Sequence, residues 1–206
     1  MGLLRDVFGP SQNEIWSQIA NEIGGELIDG GFWDKDMLEF RHKQWAIVLD
    51  TYKSPGSNHS TSTYTRMRVP FVNTTNFYFN IYQENFFSSI GKLLGMQDII
   101  IGDRFFDDQF VIKSNSDVTI KRLLDSDKLK QLISSIPRIK FCIRDDDGRI
   151  FKSGFPAGVD ILYFEYLGVI RDKQTLLNLF LLFSAVLERL VQIDSAYEDD
   201  PGIGLR

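Results

Sequence analysis

The stretch TSTYTRMRVPF, residues 61–71, alternates polar and apolar side chains in the way that is typical of a β-strand. Successive side chains of a strand point to opposite faces of its sheet. One face of this strand therefore carries Tyr64, Arg66 and Arg68. The stretch predicts a sheet with one apolar face turned to a core and a second face that is polar and aromatic.

The segments around this strand show the same alternation and are separated by glycine, proline and asparagine, which favour turns. They predict an antiparallel meander through the first half of the chain. In the segment 76–83, Tyr78 and Tyr82 share one parity, which places both on the predicted polar face. The other segments of this meander are 25–30, 36–42 and 45–54.

Helices and further strands follow from local signals. Ser11 and Glu14 have the spacing of a capping box and begin a predicted helix that ends at Gly24. Residues 116–125 and 126–136 each begin with Ser-Asp and predict two short helices. Apolar spacing predicts another helix over 85–95. Alternation predicts strands over 97–103, 109–115 and 159–170, and a hairpin over 138–154 with Asp147-Gly148 at its tip.

The long apolar segment from Asp172 to Asp194 predicts a helix with a broad apolar side and a narrow polar strip. Such a side needs cover from more than one direction. We expect a sheet and a second helix of the same chain to provide it; a contact between two copies in a homodimer is the alternative. Asn178 and Glu188 interrupt the segment, which favours a helix of a globular protein over a membrane span.

These elements together predict an α+β protein. We expect one or two antiparallel sheets, a long C-terminal helix packed on a sheet face, and shorter flanking helices. The composition favours a single compact domain over 1–206, with two interlocked halves, 1–101 and 102–206, as the alternative. Residues 195–206 are expected to form a loose acidic tail.

Composition argues against several classes of protein. The net charge is −5 and the basic residues are scattered, so a nucleic-acid partner is not expected. One cysteine, Cys142, and two histidines are too few for an intramolecular disulfide or the usual zinc sites, and we expect no cofactor. The first residues lack the apolar run of a secretory signal, which favours a cytoplasmic protein.

The polar face is the first candidate site. Guanidinium groups offer planar pairs of donors that suit carboxylates and phosphates. The alternative is a solvated face on which the arginines pair with Asp50, Glu39 or Glu84 across the sheet, and this alternative is favoured because such pairs are common. The candidate ligand-binding residues are Tyr64, Arg66, Arg68, Tyr78 and Tyr82.

A carboxylate cluster in GDRFFDDQF, residues 102–110, is the second candidate site. Asp103, Asp107 and Asp108 have the chemistry to hold a hard cation or to act as paired acid and base groups. The favoured alternative is a turn in which these side chains accept hydrogen bonds from backbone amides, because aspartate is a preferred turn residue.

The motifs TYTRMR (63–68), GKLLGMQDI (91–99), GDRFFDDQF (102–110) and AYEDDPG (196–202) resemble a family of uncharacterised bacterial proteins of about this length. The resemblance covers nearly the whole chain. It implies a bacterial, cytoplasmic, single-domain protein, and it implies no activity, cofactor or partner.

Two functions of different classes follow. The first is a non-enzymatic binding or scaffolding protein whose polar face contacts a protein partner or a small anionic ligand. The alternative is a metal-assisted, hydrolase-like enzyme that uses the cluster Asp103, Asp107 and Asp108. The first is favoured because the sequence places no nucleophile, base and orienting group together.

Overall fold

The computed structural model describes residues 10–30, 36–55, 60–83, 96–145 and 155–205. The predicted helix at 85–95 and the predicted hairpin tip at Asp147-Gly148 lie outside these residues. The helices are α1 Gln12–Ile23, α2 Arg104–Asp107, α3 Asp117–Leu124, α4 Asp127–Ser134 and α5 Lys173–Gln192. The strands are β1 Glu26–Ile28, β2 Met37–His42, β3 Trp45–Pro55, β4 Thr61–Asn73, β5 Phe79–Gln83, β6 Gln97–Asp98, β7 Phe110–Ser114, β8 Lys140–Arg144, β9 Val159–Leu167 and β10 Ala196–Tyr197.

All ten described strands belong to one sheet in the order β1-β2-β3-β4-β9-β8-β5-β7-β6, with β10 beside β4. Every pair of neighbouring strands is antiparallel. The predicted α+β class is therefore confirmed. Strands β8 and β9 come late in the chain and lie between β4 and β5, so the sheet interleaves the two halves of the sequence.

Strand β4, which contains the alternating stretch 61–71, pairs with three other strands. Its residues 61–68 pair with β3, and its residues 65–72 pair with β9 on the other edge. Beyond β3, Val72 and Asn73 pair with Tyr197 and Ala196 of β10. The predicted polarity of its two faces holds, since Met67 and Val69 are fully buried in the apolar core.

The expectation of a loose tail over 195–206 is wrong for its described part. Residues Ala196 and Tyr197 form β10, and Ser195 is buried. Leu205 is only 5% exposed and packs in a small apolar cluster on the sheet, with Ile203 beside it. The prediction followed the acidic composition of the tail and overlooked its two aliphatic side chains, Ile203 and Leu205. Packing these side chains against the sheet holds the segment in place.

Helix α5 packs across one face of the sheet, as predicted. The ring of Phe183 lies 5.5 Å from that of Phe141 in β8, and Phe180 meets Phe40 of β2 edge to face at 5.8 Å. The helix also contacts α1, α3 and α4, so its broad apolar side is covered within the chain. By length and composition α5 also qualifies as a candidate membrane span, and half of that window is buried inside the fold.

Local signals set the helix ends. Ser11 and Glu14 form the reciprocal capping box at the start of α1, and Gly24 ends the helix in the left-handed conformation with φ 72°. Asp172 caps α5 by accepting hydrogen bonds from the backbone amide and hydroxyl of Thr175 at 2.7 and 2.6 Å. These caps satisfy backbone groups that a helix end otherwise leaves without partners.

The sheet face opposite α5 is polar over β3, β4, β9 and β8, and we call it the polar face. It carries the charged and tyrosine side chains described below. It also carries a small apolar cluster formed by Val48, Cys142, Ile161, Tyr163 and Leu205.

Candidate functional site

The two arginines of β4 share one carboxylate on the polar face. Asp50 of β3 lies directly across from Arg66 in the ladder. Arg66 donates from Nε at 2.8 Å and from Nη2 at 2.7 Å, and Arg68 donates from Nη2 to the same carboxylate at 2.5 Å. The Arg68 side chain is fully buried and that of Asp50 is 8% exposed. This geometry is that of the alternative predicted from the sequence, in which the arginines pair with Asp50 across the sheet.

The environment of Asp50 favours its charged form. Burial alone would raise the pKa of this carboxyl, but the hydrogen bonds and positive charges of Arg66 and Arg68 outweigh burial, so the pKa lies below its ordinary value. Asp50 is therefore ionised at neutral pH. Its charge lies against two guanidinium groups, and this pairing offsets part of the cost of burying them.

A second carboxylate lies on the other side of β4. Glu165 of β9 is the ladder partner of Arg66. It accepts hydrogen bonds from the hydroxyl groups of Tyr52 and of Tyr163, the latter at 2.8 Å, and pairs with Lys140 at 3.3 Å. Burial would raise the pKa of Glu165, yet these donors and the lysine charge lower it below the ordinary value.

The tyrosines of this network are firmly protonated. Burial first, together with the negative charge of Glu165 and the hydrogen bonds to it, raises the pKa of both Tyr52 and Tyr163 far above the ordinary value. Neither hydroxyl loses its proton near neutral pH, so both act as hydrogen-bond donors.

Aromatic stacking continues the network to the edge of the polar face. The rings of Tyr52 and Tyr64 stack at 5.2 Å with an interplanar angle of 17°. The Arg66 guanidinium lies 4.8 Å from the centre of the Tyr52 ring, and Arg144 lies 4.6 Å from that of Tyr163. These positions are those of cation–π contacts, which fix the orientation of the rings.

An aliphatic side chain stands exposed beside this stack. Leu167, at the end of β9, is 61% exposed, and strand alternation places it on the polar face with Glu165. It lies between Tyr166, which pairs with Thr65, and Gly168, which bridges to Tyr64. Strand parity in the sequence already places Tyr52 on the polar face with Asp50, whereas the predicted site did not include Tyr163, Glu165 or Leu167, although the odd positions of YFEYL carry this alternation.

Tyr78 does not lie with the arginines, and the prediction that it shares their face is wrong. Asn76 adopts a positive φ of 50° and the strand begins only at Phe79, so the alternation does not extend back to Tyr78. Tyr78 packs against the main core, and its hydroxyl donates to Asp160 at 3.2 Å. Burial and the Asp160 carboxylate raise the pKa of Tyr78 to about 12.

Tyr82 occupies the polar face but stands apart from β4. It belongs to β5, where its ladder partner is Lys140 of β8, and β8 and β9 separate it from Arg66. Its side chain is only 2% exposed. Of the five predicted ligand-binding residues, the structure therefore brings together Tyr64, Arg66 and Arg68.

The cluster around Asp103 is built as a cap and a turn. Asp103 accepts a hydrogen bond from the amide of Phe106 at 3.3 Å and pairs with Lys130 at 2.7 Å. Asp107 accepts from the amides of Ile101 and Gly102 at 3.0 and 2.9 Å.

Asp108 points to solvent, 3.7 Å from Arg104. Among the described residues, no group of three or more acidic, histidine or cysteine side chains has the arrangement of a metal site. The expectation of a cation held jointly by Asp103, Asp107 and Asp108 is therefore not met, because the turn uses two of these carboxylates for backbone hydrogen bonds.

No protein-family model matches the chain, and no curated protein matches it. Among solved structures, the chain is similar to the crystal structure of the mycobacterial trehalose monomycolate transport factor A, TtfA. The two share 8% sequence identity with a TM-score of 0.48, over 85% of this chain and 94% of that chain. A similarity at this level carries no argument about function.

Proposed function

We propose that the protein is a non-enzymatic binding protein and that its aromatic patch contacts a protein partner. The aromatic patch is the part of the polar face formed by the half-buried Tyr52 and Tyr64, the largely buried Arg66 and the exposed Leu167. The observation that carries this proposal is that the strand register places the exposed Leu167 on the same sheet face as two stacked tyrosines and a guanidinium. A single exposed leucine is ordinary, but apolar and aromatic side chains that form one contiguous surface are typical of an interaction site.

The chemistry of the patch favours binding over catalysis. The Asp50 carboxylate forms ion pairs with Arg66 and Arg68. Glu165 accepts hydrogen bonds from two tyrosine hydroxyl groups and forms an ion pair with Lys140. A general base needs a carboxylate that can take up a proton near neutral pH, whereas both of these carboxyls have lowered pKa values.

The patch also favours a protein over a small anion. Recognition of a small anion would need an available guanidinium fork, and the Arg66 fork is already bound to Asp50 through two hydrogen bonds. Tyrosine and arginine are enriched at the centres of protein interfaces, where rigid rings and planar guanidinium groups supply much of the binding energy. A stacked pair such as Tyr52 and Tyr64 is ordered before a partner binds, which lowers the entropic cost of association.

The test is affinity capture of partners from a lysate of the native host with purified full-length protein. Wild type is compared with Tyr64→Ala and Leu167→Asp, and the recovered proteins are quantified by mass spectrometry. The matched control is Val118→Asp, at a position that is 68% exposed on α3, away from the patch. We expect a protein that wild type and the control retain and that both patch variants lose.

Equal recovery of every protein by wild type and by the two patch variants would remove the proposal, provided that all variants melt like wild type. A parallel series of thermal-shift measurements with phosphate, citrate and nucleotides tests the alternative that the patch binds a small anion. A stabilisation by one of these compounds that Arg66→Ala abolishes would replace the protein partner with a small anionic ligand, because a ligand stabilises the state that binds it.

A further inference from the structure

The segment that follows β10 crosses the polar face at the side away from the aromatic patch, and we call residues 198–205 the strap. Leu205 anchors the strap in the cluster with Val48, Ile161 and Tyr163. Ile203 packs against the same cluster. The backbone carbonyl of Leu205 accepts a hydrogen bond from Nη2 of the buried Arg68 at 3.4 Å.

Two further attachments of the strap are ion pairs on the surface. Asp200 lies 3.6 Å from Arg41, and Glu198 lies 2.8 Å from Lys43, in pairs whose side chains are all about half exposed. Exposed ion pairs contribute little to stability. Of these attachments of the strap, that of Leu205 is the buried one, and a surface segment held in this way can open without the sheet opening.

The strap does not fill the surface that it covers. A cavity of about 280 Å³ lies between the strap and the sheet, lined on the sheet side by Glu39, Arg41, Ala46 and Val48. At Gly204 an added Cβ would meet no heavy atom within 4 Å. The strap and the sheet therefore leave unfilled space in the groove between them.

We propose that this groove is a docking site for an extended segment of a partner protein, and that the strap occupies it when the partner is absent. The strap itself indicates what fits: an acidic residue at the position of Asp200, which meets Arg41, and aliphatic side chains at the positions of Ile203 and Leu205. A carbonyl at the last of these positions reaches Arg68. A segment with a side chain in place of Gly204 meets no clash there.

The groove and the aromatic patch share no residue, so this inference stands apart from the proposed function. Leu205 leaves the groove in the docked state, and the apolar cluster then meets the partner's aliphatic side chains in its place. Alternate side chains of an extended segment that enter pockets on a sheet are a common mode of peptide recognition.

The experiment uses Cys142 as a reporter, because it is the chain's one cysteine and lies in the same cluster as Leu205, 6% exposed. The rate of its reaction with a thiol reagent is measured in full-length wild type, Leu205→Asp and Leu181→Asp. Leu181 is the control because it is 52% exposed on α5, on the other side of the sheet.

We expect Leu205→Asp to react about tenfold faster than wild type and Leu181→Asp to react like wild type, because an aspartate at 205 is expelled from the apolar cluster. A synthetic peptide with the sequence AYEDDPGIGLR, residues 196–206, then slows the reaction of Leu205→Asp. The same peptide with aspartate in place of its leucine has no effect.

Circular dichroism and a cooperative melt establish that Leu205→Asp is folded. If it is not, Ile203→Asp, at a half-buried position, takes its place in the same measurements. A folded variant whose cysteine reacts like that of wild type, or whose reaction the peptide leaves unchanged, overturns the proposal. Protection by a full-length Cys142→Ser chain as strong as that by the peptide would assign the groove to a second copy of this chain and overturn the partner assignment.

Discussion

Asp50 and Arg66 face each other across the β3–β4 ladder, and two hydrogen bonds of 2.8 and 2.7 Å join the carboxylate to the guanidinium. Arg68, two residues after Arg66 in β4, donates a hydrogen bond to the same carboxylate. One anion thus compensates two cations that are almost completely removed from water. Of these three charged groups, the Asp50 carboxylate is the one that contacts both of the others.

The variant Asp50→Asn is therefore expected to destabilise the protein strongly. The new amide keeps an acceptor but removes the negative charge that the two guanidinium groups share, and removing one partner of a buried ion pair costs about 3–5 kcal/mol in comparable cases. Urea unfolding at neutral pH measures it. Asp98→Asn, which removes the exposed partner of Lys113, is the control and should change the free energy of unfolding by less than about 0.5 kcal/mol. Equal effects would contradict the central role of Asp50.

Asp160 gives the protein a pH dependence opposite to that of Asp50. It is buried and accepts hydrogen bonds from Asn73 at 2.6 Å and Tyr78 at 3.2 Å, and burial raises its pKa above the ordinary value in spite of them. The folded chain therefore holds this proton more tightly than the unfolded chain. The resulting stabilisation is present below the unfolded pKa of about 3.9 and is lost as the pH rises through the folded pKa.

We expect the stability of wild type relative to Asp160→Asn to fall as the pH rises from about 4 to about 7, since asparagine does not titrate in this range. Chemical unfolding of both proteins across this range measures the difference. A difference that stays constant, or that grows in favour of wild type with rising pH, would contradict the raised pKa.

The turn at 101–108 gives a direct test of the metal alternative. Asp107→Ala should lower the free energy of unfolding by about 1 kcal/mol, because two backbone amides lose their acceptor. Asp108→Ala, at a side chain that is 70% exposed, should change it little. Neither result should depend on added magnesium, manganese or calcium. A metal-induced rise of the melting temperature that Asp107→Ala abolishes would restore the enzyme alternative.

Helix α5 supplies the core with several of its largest side chains. Phe183 is fully buried against Phe141, and Phe183→Ala should destabilise the protein by about 3–5 kcal/mol through lost contacts and a cavity. Leu181→Ala, on the exposed side of the same helix, should cost less than about 0.5 kcal/mol. Thermal and urea unfolding of both variants measure the contrast, and similar losses would mean that the outer side of α5 is also covered.

Much of the fold could be predicted because periodicity and caps are local. The alternation of residues 61–71 and the apolar spacing of α5 each depend on a few neighbouring residues. The order of the strands could not be predicted in this way. The pairing of β4 with β9 depends on which edges meet after the chain has returned, and no short segment records it. The prediction of a loose tail was wrong because it rested on overall composition, which does not show where Ile203 and Leu205 lie in the segment.

The candidate site was predictable only in part. Strand parity correctly grouped Tyr64, Arg66 and Arg68, and pairing with Asp50, Glu39 or Glu84 was the favoured alternative, but parity could not single out Asp50 as the carboxylate that binds both arginines. Parity also failed at Tyr78, where a left-handed residue at Asn76 breaks the strand pattern. Glu165 enters the site from a strand that is distant in sequence, so its role follows from topology alone.

The three-way pairing of β4 has a consequence for biosynthesis. The hydroxyl group of Thr65 donates a hydrogen bond to the carbonyl of Gly168, a residue 103 positions later in the chain. While the ribosome is still making that later part, the β9 edge of β4 has unsatisfied backbone groups and exposed apolar side chains. Contacts of such long sequence separation form slowly. The nascent chain therefore passes through a stage in which its central strand can pair with other chains, and yield on expression should rise when synthesis is slowed or a chaperone is supplied.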